Sequence, residues 1–112
     1  MRPESAKFLR DMLDAAHTIE DHARGRSLDD YLQLRWLRDA VNWNFCVIGE
    51  ALSQLRRIDE LTAESITDYW KIIGLRNQLI HGYGVINHRI TWDIIAVKLP
   101  VLERELKELL GE

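Results

Sequence analysis

The chain has 112 residues, 46% of them hydrophobic and 29% charged, with a formal net charge of -3 at pH 7. That length makes one domain, residues 1–112, around a single core; the composition excludes a disordered chain, and the acidic balance excludes broad charge-driven nucleic-acid binding, so any RNA contact must be local. No apolar run approaches the roughly 18 residues of a membrane span, and Met1-Arg2-Pro3-Glu4 continues directly into amphipathic sequence, which predicts a cytoplasmic protein without a cleaved leader or a membrane partner.

Apolar residues recur at helical spacing almost throughout. Phe8, Leu9, Met12, Ala15, Ala16 and Ile19 form one stripe after Pro3, a residue suited to a first helical turn, and Gly25 ends the run. On this first helix His17 and His22 are five apart rather than four, so with Glu20 and Asp21 they make a poor metal site and read as solvated side chains. No metal and no cofactor is expected.

Ser27 with Asp30 three positions on resembles a capping box with Asp in place of Glu. The stripe Tyr31, Leu34, Leu37, Val41, Phe45, Ile48, Leu52 and Leu55 then keeps one face for about seven turns, which predicts a single long central helix. Cys46, the only cysteine, lies in the run Phe45-Cys46-Val47-Ile48; it reads as core packing in a reducing compartment. Glu50 stands among apolar neighbours, and because an isolated buried carboxylate is costly it needs a partner, an arginine or a helix end. Its expected role is structural.

Residues 58–67 are a polar interruption with room for one short helical turn. Asp68 is placed to cap the next helix, whose apolar side is Tyr69, Ile72, Ile73, Leu75, Leu79 and Ile80 and whose carboxyl end is His81-Gly82. A loop from Tyr83 to Asn87 follows, and Asn87 caps a last helix carrying Ile90, Ile94, Ile95, Val97, Leu99, Leu102, Leu106 and Leu109. Pro100 within it is expected to produce a kink near Ala96. His88 falls at the start of that helix, within reach of a substrate but not required by its spacing to contact one. No stretch alternates with period two. The expected fold is therefore all-α, an antiparallel bundle of four main helices plus a short helical turn. Trp36, Trp43, Trp70 and Trp92 are many for this length, and such large amphipathic side chains on a small bundle point to a homodimer.

The segment Arg76-Asn77-Gln78-Leu79-Ile80-His81-Gly82-Tyr83 carries the chemistry. Arginine offers a rigid fork of donors for phosphate, and histidine exchanges protons near neutral pH. Five residues advance about 500° on a helix, which offsets the two side chains by roughly 140° unless the helix end relaxes. In the last turn His81 would meet the negative end of the helix dipole, which favours its protonated form. Together these groups suit RNA cleavage without metal: His81 transfers the proton, Arg76 holds the phosphate and stabilises its growing charge, and Asn77 orients either. A chain supplies one such histidine, so a separate acid and base are most simply obtained from two chains at a shared cleft. Read without regard to chemistry, Arg76 and His81 are helix-end capping groups, Gly82 a terminator and Tyr83 a packing or dimer residue.

The same segment resembles the Arg-x4-His-x-Tyr signature of the HepT-like branch of the HEPN superfamily. Asp39-Ala40-Val41 with Ile48-Gly49-Glu50-Ala51 is similar to that family's second-helix pattern, and Trp70-x-x-Ile73-Gly74-Leu75, Ile90-Thr91-Trp92 and Leu99-Pro100 extend the likeness across residues from about 5 to 110. Tyr69 stands where the family usually has proline. The resemblance implies a ribonuclease toxin of a type VII-like toxin and antitoxin module, with Arg76 and His81 as the active pair and Asn77 as the polar residue beside the arginine. It implies further that a cognate minimal nucleotidyltransferase, similar to MntA, neutralises the toxin by transferring AMP from ATP to the hydroxyl of Tyr83. The alternative is a noncatalytic helical dimer that binds nucleotide or presents a surface to the nucleotidyltransferase.

Overall fold

A computed structural model describes residues 1–82 and 86–112. The first helix, α1 (Pro3–Ala23), begins on Pro3 and buries Leu9, Met12, Leu13, Ala16 and Ile19; the chain leaves it through Gly25 at φ +71°. Both halves of the capping box form at Ser27, whose hydroxyl accepts from the Asp30 amide at 3.1 Å while the Asp30 carboxylate accepts from the Ser27 amide at 3.0 Å.

The expected single long helix is two helices. The capping box opens α2 (Leu28–Gln33), Leu34 turns extended at φ -96° and ψ 98°, and α3 (Arg35–Ile58) begins one residue later. A helix end leaves carbonyls without partners, and here the Arg38 guanidinium donates to the carbonyls of Leu32 at 2.6 Å and Tyr31 at 3.2 Å. The bend lets Tyr31 bury completely against Trp92, with ring centroids 5.0 Å apart, and donate its hydroxyl to Asn42 Oδ1 at 2.6 Å. Burial pushes the Tyr31 phenol up to about 12, against the smaller opposing effects of Asn42 and Arg38.

The short turn expected between residues 58 and 67 is α4 (Glu60–Glu64), capped by the Asp59 carboxylate, which accepts from the Thr62 amide. Asp59 also accepts from the Ser5 hydroxyl at 2.9 Å, and these bonds from Thr62 and Ser5 hold its carboxyl below its ordinary range. Asp68 precedes α5 (Tyr69–His81) but makes no side-chain cap. It adopts φ +56°, a left-handed conformation uncommon outside glycine, and its carboxylate reaches Lys98 at 3.1 Å instead. That hydrogen bond, with the nearby charge of Lys71, keeps the Asp68 carboxyl low.

Asn87 caps α6 (His88–Val97) through a bond from the Ile90 amide at 3.1 Å. The last helix also divides, at Lys98 rather than by a kink near Ala96, and α7 (Leu99–Leu110) restarts with Pro100 in its first turn. There the missing N–H of proline costs nothing, since first-turn amides have no intrahelical partner. The seven helices among the described residues are the four expected main segments and short turn with two of those segments broken once each.

Contacts between helix ends fix the directions. Ser5 near the start of α1 meets Asp59 just past the end of α3, Arg10 pairs with Glu112 just past the end of α7, and His17 further along α1 has its Nε2 3.7 Å from Oε1 of Glu103, nearer the start of α7; α1 is thus antiparallel to both α3 and α7. Arg56 over the Tyr69 ring and Gly49 against Arg76 make α5 antiparallel to α3. The core of α1, α3 and α7 includes Leu9, Met12, Leu52, Leu55, Leu102 and Leu106. No helix among the described residues is long and apolar enough to cross a membrane.

Candidate functional site

Helix α5 rests chiefly on α3, and none of its residues is fully buried. The closeness of that packing depends on Gly49. A Cβ there would stand 2.3 Å from Arg76 Cβ, closer than real Cβ atoms approach, and 3.2 Å from the Ile72 carbonyl oxygen, a tight contact. The missing side chain of residue 49 is what lets α5 lay Arg76 directly on α3.

Arg76 then turns across α3 toward the next residue of that helix. Its Nη2 lies 2.8 Å from Glu50 Oε2 and its Nη1 donates to Asn77 Oδ1 at 2.9 Å, with its side chain 26% exposed. Glu50 has the arginine partner that its setting called for, but it is half-exposed rather than buried, and its other oxygen accepts from Gln54 Nε2 at 3.1 Å. Arg76 Nε is buried without a hydrogen-bond partner among the described residues. A guanidinium has five N–H donors, so a fork fixed by Glu50 and Asn77 keeps donors for an anion.

His81 is the last residue of α5 and is exposed. The Gly82 amide donates to the Gln78 carbonyl at 3.0 Å and Gly82 takes φ +62°, so the helix stays regular through His81 and the offset of roughly 140° from Arg76 persists. One protomer therefore holds the two side chains on different faces of α5, about 7.5 Å apart along its axis. Tyr83, the expected site of modification, lies outside the described residues.

A groove of about 340 Å³ runs along this face, with α3 as its floor, α1 and α5 as its walls, and Phe8, Trp43, Val47, Glu50, Arg76 and Ile80 among its lining. Cys46 opens onto it as well and is half-buried, not part of the core as expected. Burial raises its thiol above the ordinary value while the Arg76 charge opposes the shift. Sequence reading missed Trp43 and Gln54 as groove residues. Their spacing with Val47 and Glu50, at intervals of three and four, was the available signal.

A second, apolar cavity of about 400 Å³ opens between α3, α5, α6 and α7, lined by Ile48, Ile72, Leu75, Ile94 and Leu102, with Asp68, Lys71 and Lys98 at its edge. It contains neither Arg76 nor His81. Among the described residues no group of three or more His, Cys, Asp or Glu side chains is arranged to hold a metal ion. His17 faces Glu103, His22 Nδ1 lies 2.8 Å from the Thr18 carbonyl, and Asp21 pairs with Arg24. His88 packs edge-on against Tyr31 beneath the bend at Leu34, with its Nδ1 buried and unpaired among the described residues.

The family model described as "Ribonuclease HepT-like" matches residues 12–109. The chain is 32% identical over 104 residues, 92% of its length and 91% of the relative's, to "Putative RNase TTE0752" of Caldanaerobacter subterraneus subsp. tengcongensis. It is 33% identical to "Putative RNase MJ0127" of Methanocaldococcus jannaschii over 94% of this chain and 86% of the relative. It is 24% identical to "Probable ribonuclease HepT" of Thermococcus cleftensis over 97% and 98% of the two chains. No solved structure matches the chain.

Proposed function

This chain belongs to the HepT-like family of the HEPN superfamily, and on that premise we propose that it is a metal-independent endoribonuclease toxin with Arg76 and His81 as its active pair. The observation that carries the reading is the placement of Arg76. A guanidinium fixed by Glu50 and Asn77 in an open groove suits a phosphate, and an exposed histidine at the end of the same helix suits proton transfer. Relatives named as RNases along nearly the whole chain support the same reading.

In the reaction, a base removes the proton of the ribose 2′-hydroxyl, that oxygen bonds to the adjacent phosphorus, and the 5′-oxygen leaves with a proton from an acid. The products are a 2′,3′-cyclic phosphate and a free 5′-hydroxyl. His81 performs the proton transfer, worth about 10²–10⁴ in rate, and Arg76 stabilises the charge on the nonbridging oxygens. Asn77 holds the guanidinium plane. Because Arg76 and His81 diverge around α5, the complete site is a cleft between two chains related by a twofold axis, each bringing one pair. Two large apolar side chains left exposed on α5, Trp70 and Ile80, support such a homodimer.

A cognate minimal nucleotidyltransferase is the antitoxin, and AMP placed on the Tyr83 hydroxyl silences the site. The modification sets a bulky anion two residues from His81, where it competes with the RNA phosphate and blocks access. Incubation with ATP and such an enzyme should add one AMP to the wild type and none to Tyr83→Phe. The ribonuclease reading is tested by end-group analysis of RNA cut in the presence of a chelator. Cyclic phosphate and 5′-hydroxyl ends, lost together in Arg76→Ala and His81→Ala, are expected; 3′-hydroxyl and 5′-phosphate ends would overturn the mechanism. Intact RNA with a folded dimer would favour the noncatalytic reading.

A further inference from the structure

Three of the four tryptophans have a partner within the chain. The Arg26 guanidinium lies over Trp36 at 5.3 Å, the Lys71 ammonium over Trp70 at 5.2 Å, and Trp92 packs on Tyr31. Trp43 is 69% exposed and has no ring or cation contact among the described residues. It stands in the middle of α3, between Asn42 and Asn44, where a polar side chain would meet water at lower cost. Its position is specific. Trp43 shares the groove with Arg76, Glu50 and Gln54, and Trp43, Val47, Glu50 and Gln54 follow one another on a single face of the helix.

An apolar groove with one open indole, one guanidinium that keeps free donors, and an amide at its end combines the parts that hold a nucleotide. Bases of single-stranded RNA stack on aromatic rings whatever their identity, while arginine tracks the backbone. The groove's volume of about 340 Å³ lies within the range of ligand sites. Arg76 is the groove's one cation, with Asp11 and Glu50 also in its lining, and the chain's net charge is -3, which favours a narrow contact with RNA over a broad electrostatic one.

We propose that this groove is a nucleobase subsite, in which the indole of Trp43 carries an unpaired base of the RNA substrate next to the phosphate held by Arg76. The proposal rests on the ribonuclease reading and adds its substrate class: single-stranded RNA with an unstacked base flanking the cleaved linkage. Gln54, whose amide nitrogen is engaged by Glu50, presents its carbonyl oxygen as an acceptor for a base donor. Duplex RNA, whose bases are stacked and paired, cannot fill the subsite.

The test uses the full chain in the His81→Ala background, which binds without cutting, and a short fluorescent single-stranded RNA. Adding Trp43→Ala should weaken binding roughly 5- to 100-fold, and Trp43→Phe should restore most of the loss. In the cutting enzyme Trp43→Ala should raise KM for single-stranded RNA with kcat little changed. Unchanged affinity in Trp43→Ala, or equal losses in the Ala and Phe variants, would overturn the proposal. So would a change of association state in sedimentation that tracks the loss of binding, since the face would then belong to a second copy of the chain. If the wild type cuts RNA and Trp43→Ala cuts with the same KM, the subsite fails and the nuclease stands. If nothing cuts but the His81→Ala protein still binds the oligonucleotide through Trp43, the nuclease fails and the subsite stands.

Discussion

Gly49 and Arg76 touch where α3 and α5 cross, and a methyl group added at residue 49 would stand 2.3 Å from the arginine's Cβ. The position of the guanidinium in the groove is thereby tied to the absence of a side chain 27 residues earlier. Gly49→Ala forces α5 outward, since the Ile72 carbonyl also blocks the new atom. The expected cost is about 1–3 kcal/mol of stability, with RNA cleavage lost beyond what the fraction unfolded explains. Thermal melts beside activity at a temperature where the variant is folded would separate the two effects.

Glu50 orients Arg76 from the adjoining position. Glu50→Gln keeps the shape but removes the charge facing Nη2, and the half-exposed pair contributes only about 0.2–1 kcal/mol to stability. Activity should fall by about tenfold while the melting temperature barely moves. An activity loss that matched a large drop in melting temperature would make Glu50 a folding residue instead.

Tyr31→Phe removes the donor that Asn42 Oδ1 accepts from at 2.6 Å and leaves a part-buried amide short of one partner. A loss of about 1–2 kcal/mol in denaturant unfolding is expected. The bend at Leu34 should persist, because Arg38 still holds the carbonyls of Tyr31 and Leu32.

Glu103 supplies a pH dependence. Burial first, then a hydrogen bond shared with Glu20, lift its carboxyl to about 7 against an ordinary 4.5, with Lys107 opposing. A raised acid binds its proton more tightly in the folded chain. Its contribution is therefore fully present below about 4.5 and is lost as pH rises toward about 7. The change amounts to at most about 3 kcal/mol. Glu103→Gln should flatten this part of the stability profile and leave the variant more stable than the wild type at pH 8; a wild type that gained stability between pH 5 and 8 through this group would contradict the assignment.

Much of the fold was legible because it is local. The caps at Ser27 and Asn87, the Pro3 start and the Gly82 stop each depend on residues within three or four positions. The break at Leu34 was not, because it is stabilised by Tyr31 burying against Trp92, a contact 61 residues away in sequence. Asp68 read as a cap by composition, yet Lys98 claims its carboxylate from a distant helix. At the candidate site, Arg76 and His81 were singled out by their residue types and by the resemblance of their segment to the family signature, while their divergence around α5 follows from the helix running regularly through His81. The Gly49 contact, the choice of Arg76 as partner for Glu50, and the exposure of Trp43 are products of how α3 meets α5 and α1, which helical periodicity does not encode.

The most direct measurement of the central claim is the rate at which purified wild type and His81→Ala cut a single-stranded RNA in the presence of a chelator, with circular dichroism and sedimentation run on both. A loss of at least about 100-fold in the variant, with helicity and association state unchanged, is predicted. Equal rates for the two proteins would contradict a role for His81 in the chemistry.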